Sequence, residues 1–238
     1  MIERSKEHGI VTLRLAHGKA SAMDVELLEA MNRELDAAAV NAKAVILTGT
    51  GSIFSAGVDL FRLTSEGVPY VERFFPLLSE MIRKIYELPV PVVAAANGHA
   101  IAGGCILVLA SDYRLMAAGN GRIGVAELLV GVPFPESALR VVQFAVPNAP
   151  RYVLTGKTLL PQEALAAGMI DEVVEPNQLM QRAAEMATQL GAIPRESFRL
   201  TKRQLRGLGA DDKAALAVWS EPAIHDGIRA YLAKTVKK

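Results

Sequence analysis

Val90-Pro91-Val92-Val93-Ala94-Ala95-Ala96 runs straight into Asn97-Gly98-His99-Ala100-Ile101-Ala102-Gly103-Gly104-Cys105. A strand-like run breaks into small residues and then becomes apolar again through Ala110. Glycines let backbone approach a ligand closely, and a helix start leaves N–H groups without intrahelical acceptors. A second stretch has the same grammar: Ala44-Val45-Ile46-Leu47 precedes Phe54-Ser55-Ala56-Gly57-Val58-Asp59-Leu60. Two such breaks facing each other can hold one oxygen between two backbone donors, as an oxyanion hole does. A purely structural tight turn explains either break alone, and the matched pair weakens that reading. Gly98 to Cys105 also approaches a phosphate-binding loop, but Gly104 stands where its lysine would be.

Working outward, Ile10 to Leu15 alternates like a half-buried strand, and Val25 to Val40 has helical spacing behind the cap candidate Asp24. A strand over Ala44–Thr48, a helix over Val71–Glu87, a strand over Val90–Ala96, a helix over Gly103–Ala110 and a strand over Tyr113–Met116 follow. Strands alternating with helices imply an α/β architecture. Beyond about Pro176 only helical periodicity is present, in Gln178–Leu190, Arg195–Leu205 and Asp211–Trp219. The expected division is a core over residues 1–176 and a helical region over 177–238.

Composition narrows the function classes. A chain of 238 residues with 51% hydrophobic content can build a sizeable core. A formal charge of +1 gives no electrostatic case for nucleic acid or an acidic membrane surface. The single cysteine excludes an internal disulfide and fits a reducing, cytoplasmic setting. Val90 to Ala110 is apolar, but Pro91, Asn97, His99 and glycines interrupt it, so a strand, turn and buried helix are expected rather than a membrane span. His8, His17 and His225 have no metal-ligand spacing, so no metal is expected.

The two glycine segments resemble those of the enoyl-CoA hydratase/isomerase (crotonase) superfamily. Lys19-Ala20-Ser21-Ala22-Met23-Asp24, Leu154-Thr155-Gly156-Lys157, Glu163 to Ile170, Leu200-Thr201-Lys202 and Asp226 to Leu232 extend the likeness along nearly the whole chain. The resemblance implies a spiral of ββα turns followed by a small C-terminal helical region that packs across a homotrimer or hexamer. It implies an acyl-CoA thioester as substrate, with CoA entering as part of that substrate and no separate cofactor. The oxyanion donors would be the N–H groups of Val58 and Gly103. Lys19, Ala20 and Ala22 would lie near the nucleotide of CoA, Ala56 would offer its carbonyl to the adenine, and Asp59 and Leu60 would follow that contact. Arg62 would meet a phosphate or be a solvated surface arginine, and Lys234, Lys237 and Lys238 would add charge near the CoA phosphates. Gly67 to Tyr70 and Phe74-Phe75-Pro76 would lie near the acyl end.

Hydratases of this family use two glutamates. Here the first position holds Ile106, while the second is retained as Glu127 in the run Ile123 to Gly131. On the residues alone Glu127 either faces a site or is an ordinary exposed side chain. A lone base in a drier pocket favours moving a 3-enoyl-CoA double bond to the 2-position over adding water to a 2-enoyl-CoA. Glu136 leaves hydration open: it would be a second acid/base, or an acid placed in the first turn of a helix. Cys105 beside His99 admits a thiol nucleophile or a small buried thiol. From another class comes a non-catalytic acyl-CoA binding protein or scaffold.

Overall fold

The computed structural model describes residues 1–209, 212–219, 222–224 and 226–228. Strands β1 (Ile2–Glu7) and β2 (Ile10–Leu15) pair antiparallel. Helix α1 (Val25–Asn41) starts where the Asp24 carboxylate accepts the Leu27 N–H at 2.8 Å, and its buried stripe includes Leu28, Met31 and Leu35.

Three turns of one spiral follow. The first runs through β3 (Ala44–Thr48), β4 (Ile53–Ser55), α2 (Leu60–Glu66) and α3 (Val68–Glu87). The second runs through β5 (Val92–Ala96), β6 (His99–Ile101) and α4 (Gly103–Ala110). The third runs through β7 (Tyr113–Ala117), β8 (Ile123–Gly124), a 3-10 turn (Glu127–Val130) and α5 (Glu136–Ala145). Each turn gives its first strand to a six-stranded sheet and its second to a three-stranded one. The expected spiral of ββα turns is therefore the architecture present. The chain continues through α6 (Ala149–Thr155), α7 (Pro161–Ala166), β9 (Glu172–Val174), α8 (Leu179–Gly191), α9 (Arg195–Leu205) and α10 (Asp212–Trp219).

The large sheet has the order β1-β2-β3-β5-β7-β9, parallel after its first pair, and the small one is β4-β6-β8, parallel throughout. β3 and β5 are buried on both faces, which is why they read as continuous apolar runs. Val45, Leu47, Val92 and Ala94 face the main core with α1, α3 and α4, whereas Ala44, Ile46, Val93 and Ala95 face Leu179, Ala183 and Ala187 of α8. The first helix after residue 176 thus covers the back of the large sheet within its own chain.

At the foot of β7, Asp112 is held from two sides by α9 and the residue after it. Lys202 Nζ lies 2.7 Å from Oδ2 and Arg206 Nη2 lies 2.8 Å from Oδ1, while the Val92 N–H donates to Oδ2 at 2.8 Å. Both cationic side chains are only 4% exposed. Burial pulls the Lys202 ammonium down to about 8 despite Asp112.

Candidate active site

The second strand of every spiral turn ends at the same cavity. Beyond β4 lies Val58, beyond β6 Gly103, and beyond β8 Glu127, and all three line one space of about 290 Å³. The three strands are neighbours in one parallel sheet, so their C-terminal ends open on the same side.

Local geometry frees the two N–H groups. Met23 N–H donates to Gly57 O at 2.7 Å and Asp59 N–H donates to Met23 O at 3.0 Å. In this parallel bridge the flanking residues bond Met23, so the N–H of Val58 points the other way. Gly103 is the first residue of α4, whose first internal hydrogen bond runs from Ile106 N–H to Ala102 O. Its own N–H is one of the unpaired donors of a helix start. Ala102 turns the chain from β6 into α4 at φ 49°, a region that costs a non-glycine residue about 1–3 kcal/mol and is met at functional sites. Gly57, at φ 85°, seats against this turn: a Cβ there would lie 2.8 Å from Ile101 O and 3.1 Å from Gly103 N. The loops after β4 and β6 are thus in direct backbone contact.

Glu127 is 9% exposed, and its Oε2 has no hydrogen-bond partner among the described residues. Burial pushes its carboxyl up to about 7, against a smaller lowering by its own backbone N–H. Ile106 shares the cavity wall. Among the described residues Glu127 is the only one lining the cavity with a polar side chain. Such a carboxylate can take a proton from carbon near neutral pH, and the two N–H groups can stabilise the negative charge that results.

Glu136 is placed outside this cavity, which corrects the second acid/base alternative and agrees with the other, an acid in the first turn of a helix. Its side chain is 92% exposed at the first turn of α5, 3.7 Å from Arg140, while Pro135 and Ala138 of the same segment turn toward the cavity. A carboxylate at a solvated helix start gains from the helix dipole and has no reason to enter an apolar space. Cys105 is fully buried, which pushes its thiol well up, and His99 Nδ1 instead accepts the Arg122 N–H at 3.2 Å. Both observations favour the small buried thiol over the thiol nucleophile.

The expected CoA-contacting stretches run side by side: Ala56 N–H donates to Ala20 O at 3.0 Å, and Ser55 Oγ donates to Ser21 O at 2.8 Å. Lys19 and Ala56 are exposed there, and Ala20 and Ala22 are half-buried. The Asp59 carboxylate is occupied in capping α2, accepting the Arg62 N–H at 3.1 Å, and Leu60 lines the cavity rim. Arg62 is neither a free phosphate partner nor merely solvated. It pairs with Glu26 and Glu66 and lies over the Tyr70 ring. Lys234, Lys237, Lys238 and His225 lie outside the described residues.

Phe74 and Phe75 line the cavity, whereas the Tyr70 hydroxyl accepts the Val25 N–H. Leu78, Ile82 and Ala138 complete the walls and were not singled out from the sequence. Their only signal is the helical periodicity of α3 and α5, which marks a buried face without saying that the face borders an empty space.

Comparison with known proteins follows the same lines. The profile of the family described as enoyl-CoA hydratase/isomerase matches residues 5–218. The chain is 31% identical over 218 residues to the mitochondrial enoyl-CoA delta isomerase 1 of Mus musculus, covering 89% of this chain and 75% of that one. It is 33% identical over 184 residues to a short-chain-enoyl-CoA hydratase of Clostridium acetobutylicum, covering 75% and 69% respectively. A crystal structure of an enoyl-CoA hydratase from Bacillus anthracis superposes with a TM-score of 0.87 at 26% identity, covering 100% of this chain and 98% of that one.

Proposed function

Because this chain belongs to the enoyl-CoA hydratase/isomerase family, whose members act on acyl-CoA thioesters, we propose that it moves the double bond of a 3-enoyl-CoA to the 2-position. The thioester oxygen sits between the N–H groups of Val58 and Gly103. Glu127 takes a proton from C2, and the electron pair moves through the conjugated system onto the thioester oxygen. The resulting dienolate collapses as the Glu127 carboxylic acid returns a proton to C4, leaving a 2-enoyl-CoA. One C–H bond breaks and one forms within a single substrate, so the step consumes no water, oxidant or metal. Each backbone donor contributes about 3 kcal/mol to stabilising the charged intermediate.

The observation that carries this reading is Glu127 standing, among the described residues, as the sole ionisable side chain on an otherwise apolar wall that includes Ile106. Hydration needs water held and deprotonated while C2 is protonated, and Ile106 offers neither hydrogen bond nor charge for it. The named relatives include an isomerase and a hydratase, so the choice rests on this wall.

Wild type and Glu127→Gln assayed with 3-hexenoyl-CoA and with crotonyl-CoA test it by absorbance of the conjugated thioester. Conjugation gained from the first substrate by wild type and lost in the variant is the expected result. Conjugation lost from crotonyl-CoA would make the enzyme a hydratase. Binding of both thioesters without turnover would leave an acyl-CoA binding protein.

We extend the proposal to assembly. Leu129 and Leu154 are both exposed, and Leu129 lies against Gly156 at the end of α6, an apolar surface suited to a subunit contact. Light scattering is expected to give the mass of three or six chains, and a single-chain mass would overturn it.

A further inference from the structure

The cavity lining is part exposed and part buried. Val71, Phe75 and Val132 are exposed, whereas Leu78, Ile82 and Ala138 are buried at 7%, 1% and 2%. Leu78 and Ile82 are four residues apart on one face of α3, and the packed face of α5 opposite presents Pro135 and Ala138, three residues apart. Ala138 has the smallest side chain on that inner wall, and its methyl leaves space that any larger residue would fill. No polar side chain of the described residues other than Glu127 reaches the lining.

We infer that this cavity is built for the unsubstituted hydrocarbon tail of a medium-chain acyl group, with Ala138 opposite Leu78 and Ile82 setting its length. The inference rests on the acyl-CoA reading above and adds the class of acyl chain. A space of about 290 Å³ holds roughly ten water-sized groups at ~30 Å³ each, and a methylene is of similar size. The thioester end must remain beside Val58 and Gly103, so the acyl group is about eight to ten carbons long. A tail carrying a hydroxyl or carboxylate would bury that group with no partner at the inner wall.

The test is calorimetric binding of saturated acyl-CoAs of four, six, eight, ten and twelve carbons to the full chain, with an ω-carboxylated eight-carbon acyl-CoA as comparator. Saturated thioesters report binding without turnover. Affinity is expected to rise about fourfold per methylene up to eight or ten carbons and then level off. The ω-carboxylated compound should bind weaker than its parent by on the order of thirtyfold. Ala138→Leu should shorten the plateau by about three carbons with four-carbon affinity unchanged, and Leu78→Ala should lengthen it by a similar amount. Equal affinity for four and eight carbons, or gains continuing undiminished through twelve, would overturn the inference. So would a plateau that moves in neither variant, or four-carbon affinity falling with the rest in Ala138→Leu. A graded ladder in a protein that turns over no enoyl-CoA would sink the isomerase reading and leave this one standing, whereas a flat ladder in an active isomerase would do the reverse.

Discussion

Glu127 shows how one residue can be held ready for proton transfer by burial alone. With its carboxyl raised to about 7 from an ordinary 4.5, it binds more protons folded than unfolded between those pH values. Activity on a 3-enoyl-CoA needs the carboxylate, so kcat/KM should rise with pH along a limb centred near 7, measured with buffers spanning pH 5 to 9. Stability moves oppositely. The cost of burying the ionised form is absent below about 4.5 and fully present above about 7, where it reaches about 3 kcal/mol. Glu127→Gln should therefore gain on wild type in denaturant midpoint as pH is raised from 4.5 to 8, and a difference independent of pH would show that ionisation is not the cause. The sequence exposed this residue through its likeness to the family's second glutamate, since the apolar run alone left it either facing a site or ordinarily exposed. It left Glu136 between a second acid/base and an acid of a helix's first turn, because which side of a turn a carboxylate faces is decided by tertiary packing. Ile106 was legible by the same likeness, as an apolar residue standing where the family's hydratases carry their first glutamate.

At the scale of elements, the proposed oxyanion hole needs the Val58 and Gly103 N–H groups bare, and Gly57 keeps the turn beside them free of a side chain. Gly57→Ala would add a methyl 2.8 Å from Ile101 O at a φ of 85° that alanine resists. We expect kcat to fall by about 10²–10³, the loss seen when one such donor is displaced, with far-UV circular dichroism unchanged. An unchanged kcat would remove Val58 and Gly103 from the mechanism. The long elements were readable in advance: α1, β3, α4 and α9 lie where periodicity put them. Those that build the site were not. β4, β6 and β8 contain only three, three and two residues, too few for alternation to register, so they read as loops. β1 escaped because it is an edge strand whose residues Glu3 to Glu7 are all exposed, and α2 because it buries nothing. The glycines between them carried the information instead, through close backbone approach.

For the molecule as a whole, α8 and α9 tie the last third of the chain to the spiral. The sequence suggested a boundary near residue 176, since helical periodicity replaces strand alternation there. It held no sign that Ala183 and Ala187 meet the back of the sheet, because small residues mark close packing without naming the partner. Asp112 is the electrostatic counterpart of that contact. Asp112→Ala would leave Lys202 and Arg206 buried without a counter-charge, at a cost of about 3–5 kcal/mol in chemical denaturation. Lys202→Met should cost less, because Arg206 keeps its carboxylate; equal losses would mean the pairing contributes little. The spiral itself has a consequence for how such proteins diversify. On the proposed mechanism its first two turns would hold the thioester through backbone atoms, and its third would supply the proton chemistry through one side chain. Grip and reaction would then lie on separate turns, so a change at Glu127 could alter the chemistry while the hold on the ester stays in place.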